Sequence, residues 1–154
     1  MYHDHEDRMD SAEQFAEHNP HAAAQAFTAI ACDQGVDDDT RLSAAEQVAE
    51  LDPHAAALAC VAIARDGSVG DEVRLSAAIH LAAAAPGAAV GAYLAIACDD
   101  AVGDEVRLCA AEQVAAVDPG AAVPACLAIA RDGSVGDEVR HSAAAQLAAL
   151  GPGA

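Results

Sequence analysis

The sequence predicts an all-α chain of repeated helical hairpins, an α-solenoid, on three observations: a strict 33-residue period, an apolar content carried by Ala, and apolar positions spaced by three and four. The period is the firmest of these. Arg8, Arg41, Arg74, Arg107 and Arg140 recur at 33-residue intervals, as do Pro20, Pro53, Pro86, Pro119 and Pro152. Reading from each Arg gives RMDSAEQFAEHNP, RLSAAEQVAELDP, RLSAAIHLAAAAP, RLCAAEQVAAVDP and RHSAAAQLAALGP, five copies of one segment. Four copies of a second segment lie between them, ending FTAIACD, CVAIARD, YLAIACD and CLAIARD. A 66-residue likeness is layered on the first period, because Cys32 and Cys98 alternate with Arg65 and Arg131, and Cys60 and Cys126 with Phe27 and Tyr93.

Composition selects helix over strand. Hydrophobic residues make up 54% of the 154, but aromatics only 3%, with no Trp, so burial rests on Ala with scattered Leu, Val and Ile. Ala has the best helix propensity, loses no rotamer entropy on burial and is depleted in strands.

Each unit reads as two helices. The first begins at the Pro, which suits the N1 position, after Asn19, Asp52 or Asp118 as N-cap. In the second copy it runs to about Ala64, followed by the loop Asp66-Gly67-Ser68, where Gly67 offers a helix stop and Ser68 a cap for the next helix. That helix opens with Asp71 and Glu72, which suit the positive end of the dipole. Val73, Ala77, Leu81 and Ala84 then form an apolar stripe that no single hairpin can bury. Stacked neighbours can bury it, so the expected shape is a short rod of about nine short helices held by nearest-neighbour contacts. Residues 1–7 read as an acidic, His-containing tail and residues 8–154 as one repeat domain. His141, replacing an apolar Leu in the last copy, and Glu17 with His18 in the first read as capping features of a complete domain.

The run D-x-x-V-x-D-E-V-R-x-x-A-A-x-x-L, seen from Asp66 to Leu81 and from Asp132 to Leu147, resembles the HEAT-repeat family, particularly its short bacterial versions, over essentially the whole chain. The ankyrin T-P-L-H turn and the tetratricopeptide pattern of Trp, Leu-Gly and Tyr are missing. The resemblance implies a right-handed superhelix whose second helices line the concave surface. It also implies a ladder between units, formed by Asp33, Asp66, Asp99 and Asp132 with Arg8, Arg41, Arg74, Arg107 and Arg140.

Charge narrows the partners. The formal net charge is -18, and all seven basic residues are Arg. Such a surface repels phosphate, so neither nucleic acid nor an anionic membrane is expected, while a basic protein or peptide is. The start, MYHDHEDRMD, lacks the basic and apolar regions of a signal peptide. The Ala-rich runs are broken well short of the roughly 20 apolar residues a membrane span needs, and a cytoplasmic location is expected.

Candidate binding positions lie on the second helices: Glu13, Gln14, Glu17, Glu46, Gln47, Glu50, His80, Glu112, Gln113 and Gln146. If they line the concave surface, as the resemblance implies, they form a Glu/Gln strip able to accept Arg, Lys or backbone N–H groups from a ligand; a solvated face that keeps an Ala-rich rod soluble is the other reading. His3 and His5, near His18, His21, Asp4, Glu6 and Asp7, are candidate ligands for Ni, Cu or Zn, against the ordinary reading of an acidic tail. Equivalent Cys two units apart are separated by roughly twice the 8 to 10 Å helix spacing, beyond the ~7 Å Cα limit for a disulfide, and no CxxC pair is present. Cys60 and Cys126 read as buried small hydrophobes, while Cys32, Cys98 and Cys109 lie nearer helix ends as candidates for reactivity. No phosphate loop or nucleophile motif occurs, so no enzyme and no cofactor is expected. Three functions remain open: a protein-interaction scaffold with an acidic face for a basic or extended partner, a metal- or small-ligand-binding protein using the N-terminal cluster, and a structural protein that self-associates through its end faces.

Overall fold

The computed structural model describes residues 2–150, with the side chains of 5–150. The described residues form nine helices and no strand: α1 (Tyr2–His18), α2 (Pro20–Ala31), α3 (Asp38–Leu51), α4 (Pro53–Ala64), α5 (Asp71–Ala84), α6 (Pro86–Ala97), α7 (Asp104–Val117), α8 (Pro119–Arg131) and α9 (Asp137–Leu150). Each helix packs on its sequence neighbours and, in nearly every case, on the helix two steps away; no substantial contact reaches further. The even-numbered helices thus form one layer and the odd-numbered helices another, in a linear stack.

Local chemistry explains the boundaries. Asn19, Asp52 and Asp118 cap α2, α4 and α8 by accepting from the N–H of Ala22, of His54 and Ala55, and of Ala121. Pro follows at N1 in each, where its missing N–H is not needed. Two expectations for the loop are corrected. α4 ends at Ala64 with Arg65 as its C-cap at φ −91°, so Gly67 is not the helix stop. Ser68 does not cap α5; Gly70 holds that position, and Ser68 donates from both its N–H and its hydroxyl to Asp66 Oδ1, at 2.9 and 2.6 Å. A residue two places after Asp completes an Asx turn before it can reach the helix. The same turn recurs in every loop, with Val36, Val69, Val102 and Val135 donating to the carbonyl of the Asp three residues earlier and burying their side chains.

Residues 2–7, read from the sequence as an acidic tail, are the first turns of α1, while residue 1 lies outside the described residues.

The core is a set of columns, one member per unit. Ile30, Ile63, Ile96 and Ile129 are at most 1% exposed, among Ala residues that let the backbones approach. Burying each such Ile contributes about 2 kcal/mol, and Ala at the facing positions keeps the packing dense. On α5 the inward stripe is Arg74, Ala77, Ala78 and Leu81; Val73 is half-buried and Ala84 exposed, so the stripe is rotated from the expected one. The rotation brings a charged residue to a core position. Its guanidinium must then be satisfied internally, and it is.

Arg41, Arg74 and Arg107 each donate through Nε to the carbonyl of Ala31, Ala64 or Ala97, the last residue of the preceding helix, at 2.8 to 2.9 Å. Those carbonyls have no partner within their own helix, as at any helix C-terminus. Through Nη1 the same Arg donates to Asp66, Asp99 or Asp132 in the loop of the next unit, at 2.8 to 2.9 Å. Arg8 reaches Asp33 in the same way, from a more exposed position. Arg140 differs: its nearest carboxylate among the described residues is Asp137, 3.7 Å away on its own helix. A second ladder runs along the odd-numbered helix N-termini, where the N–H of Gly70, Gly103 and Gly136 donates to Asp38, Asp71 and Asp104 of the unit before. In the first interval the identities are exchanged, with His5 facing Asp37 at 3.6 Å.

Removing one partner of a buried ion pair strands the other charge, so Asp66→Ala is expected to lower unfolding stability by about 3 kcal/mol. Asp33→Ala, whose Arg8 partner is solvated, is expected to have a much smaller effect in the same urea titration. Equal losses in the two variants would show that burial of the Arg is not what matters.

Candidate functional site

The odd-numbered helices place the strip residues at three registers. Glu13, Glu46 and Glu112 share one with Ile79 and Ala145, and Gln14, Gln47, Gln113 and Gln146 share a second with His80. One turn further on, Glu17 and Glu50 share a register with Ala83, Ala116 and Ala149. Gln47 and Gln146 are half-buried and the other eight candidates exposed, on the side of α1, α3, α5, α7 and α9 that faces away from the inward stripe. The acid is concentrated in α1 and α3. From α5 onward Ala replaces the second Glu, and Ile79, 48% exposed, interrupts the first register.

One contact joins members of the strip across units. His80 Nε2 lies 3.2 Å from Glu46 Oε1, both side chains half exposed. Beneath this pair a cleft of about 210 Å³ opens between α3, α4 and α5, with Cys60 on its wall. Sequence reasoning missed the cleft. A further groove, between α2 and α4, is lined by His21, Gln25, Thr28 and Asp52.

The thiols divide by position. Cys32 and Cys98 are exposed at the C-caps of α2 and α6, and Cys60 and Cys126 are buried. Burial, and then the charge of Glu46, pushes the Cys60 thiol up to about 11. Cys109 is raised as well, by burial and then by Glu112 and Glu72, which disfavours its thiolate.

Among the described side chains, His5, His18 and His21 do not gather. α1 separates His5 from His18 by about 20 Å at 1.5 Å per residue, so His18 and His21 cannot join His5 around one ion. Among the described residues no three His, Cys, Asp or Glu side chains are arranged to hold a metal. The side chain of His3 lies outside the described residues. His5 instead faces Asp37, the N-cap of α3. Burial raises the Asp37 carboxyl, but hydrogen bonds from the Thr40 hydroxyl and N–H outweigh it and leave the group below its ordinary value.

The loop carboxylates carry the largest shifts among the acids. Asp66 and Asp132 are lowered to about 2, first by the hydroxyl of Ser68 or Ser134 and then by the guanidinium of Arg41 or Arg107. Asp33 and Asp99 are also lowered, with Arg8 and Arg74 as the first cause. These groups are structural: one stands in each unit and they do not converge.

No helix of the described residues is long and apolar enough to cross a membrane. Comparison with family models, curated proteins and solved structures finds no match to this chain.

A depressed carboxylate stabilises the fold above its unfolded pKa, and that contribution disappears as pH falls through the folded value. For Asp66 the window runs from the ordinary 3.8 down to about 2. The stability gap between wild type and Asp66→Ala is therefore expected to be full at about pH 5 and to shrink progressively toward pH 2, read from urea midpoints. Taking the difference removes the general effect of neutralising the other acids. A gap that does not change over this range would contradict the assignment.

Proposed function

We propose that this chain is a noncatalytic interaction scaffold of the HEAT-like kind, a right-handed solenoid that presents the exposed Glu/Gln strip of its odd-numbered helices on a concave face to a basic, extended polypeptide. The observation that carries this reading is the placement of Glu13, Glu17, Glu46, Glu50 and Glu112 on solvent-facing positions of α1, α3 and α7, clear of the inward stripe. Carboxylates projecting from the solvent face of α1, α3 and α7 can accept charge-assisted hydrogen bonds from the Arg or Lys side chains of an extended chain. The net charge of -18 steers such a partner and repels nucleic acid and anionic lipid.

The test uses a fluorescent peptide of alternating Arg and Gly. Binding to wild type is expected to weaken with salt, and to fall about tenfold or more in Glu46→Lys/Glu112→Lys. The control Glu105→Lys/Glu138→Lys makes the same change in net charge at the exposed first turns of α7 and α9. Equal weakening in both variants would reduce the interaction to bulk charge and sink the strip.

A second reading, self-association through an end face, is favoured by Phe15. It occupies the register of Val48, Leu81 and Val114, all fully buried, yet is 49% exposed because no helix of the described residues precedes α1. If this face pairs copies, light scattering shows a concentration-dependent rise in mass that Phe15→Ser abolishes. A mass that stays constant over the accessible concentration range rules the reading out.

A further inference from the structure

The cleft beneath His80 and Glu46 exists because three positions that are large in other units are small together in this one. The position of Ala57 on α4 is Val90 and Val123 in the next two copies. Cys60 stands where Phe27 and Tyr93 fill the core, and Ala84 where Leu51, Val117 and Leu150 stand. No other interval combines the three: Ala24 is offset by Phe27 and Leu51, and Cys126 by Val123 and Leu150. The deficit is therefore local, on an otherwise regular array. Dense packing normally closes such gaps, and a cleft kept open with polar groups at its mouth has the make-up of a binding site.

The polar groups at this interval are also particular to it. His80 replaces the Gln of the other four copies, and its ring meets Glu46 at 3.2 Å. Cys60, only 4% exposed, lies on the wall of the cleft. The remaining wall is methyl groups. With about 210 Å³, the space is below the roughly 300 Å³ at which drug-sized sites begin, and it fits one side-chain-sized guest. The shape and charge ask for an apolar stem with a cationic head. The stem lies against the Ala methyls, and the head meets Glu46, which retains acceptor capacity beside His80 because a carboxylate accepts from several donors.

We propose that this cleft binds a single aliphatic guanidinium or ammonium group, and that on the partner-binding face proposed above it is the pocket that anchors one Arg or Lys side chain. The proposal rests on that face for its partner, but the cleft itself can be examined with a small cation alone.

The experiment is an amide NMR titration of the full chain with n-butylguanidinium, with n-butanol as the uncharged comparison. Saturable shifts confined to residues around Glu46, Cys60, His80 and Ala84 are expected, with Kd near the millimolar range for so small a ligand. Two variants separate pocket from charge. Cys60→Phe/Ala84→Val fills the cleft with residues that other units carry at these positions, and Glu46→Gln removes the carboxylate; each is expected to weaken binding about tenfold while leaving the remaining spectrum intact. If filling perturbs the fold, Ala57→Val alone provides the milder test.

Unchanged affinity in the filled variants, equal affinity for n-butanol, or shifts spread evenly over Glu13, Glu46 and Glu112 would each overturn the site. The Arg/Gly peptide supplies the second arm. Saturable cleft shifts with the peptide but none with the free cation support a side-chain anchor, and shifts with both support the shared chemistry. Peptide binding that is lost in Glu46→Lys/Glu112→Lys but unaltered by filling overturns the cleft and leaves the face standing.

Discussion

Each inward Arg ties three separate stretches of chain together with one guanidinium. Arg74 grips the last carbonyl of α4 through Nε and Asp99 of the next loop through Nη1, while its own helix supplies the buried stem. A charge at 2 to 3% exposure is tolerable only when every direction is satisfied, and Arg suits this because its donors form a rigid planar fork. An apolar side chain of similar volume often stabilises as much. What it does not supply is register. The fork meets both the helix end and the carboxylate only when neighbouring hairpins sit at one height, so the pair fixes how units stack as well as that they stack.

The Asp on the other side of that contact is prepared before the Arg arrives. Its Oδ1 accepts from the N–H two residues on, in all four loops, and its Oδ2 is left for the guanidinium. The local turn thus orients an inter-unit contact. The Val three residues after each Asp buries itself beneath the same turn, coupling loop shape to core packing. The remaining stability comes from columns of Ile and Ala, where small facing residues let helices approach and dispersion contacts accumulate.

With stacking assigned to these conserved-register columns, the outward positions are released from it, and there the units differ. Glu is dense on α1 and α3 and thins toward α9, Ile79 and His80 interrupt the row at α5, and the α4–α5 interval is the one with small residues at all three cleft positions. A regular frame with irregular outer residues is the arrangement that lets a repeat protein specialise one place without disturbing the rest, because each unit depends only on its neighbours.

Helix identity, the hairpin unit, the N-caps at Asn19, Asp52 and Asp118, and the singling out of the Arg and Asp columns were all readable in the sequence, because each follows from local rules or from a period that does not slip. The inward turn of Arg74 was not: the expected stripe ran through Val73, and only the carbonyl of Ala64 and the carboxylate of Asp99, brought in from other segments, make a buried guanidinium tolerable there. Ser68 is a related case, since the Asp two residues before it takes its hydroxyl and leaves the N-cap of α5 to Gly70. The contact of His5 with Asp37 depended on the N-terminus of α3 being brought to α1 by the stack. The cleft was least visible of all, since it is a shortage of volume shared by three helices. Sequence determines what each side chain is, but a gap is defined by what surrounds it, and that is settled only when Ala57, Cys60 and Ala84 come together in the packed stack.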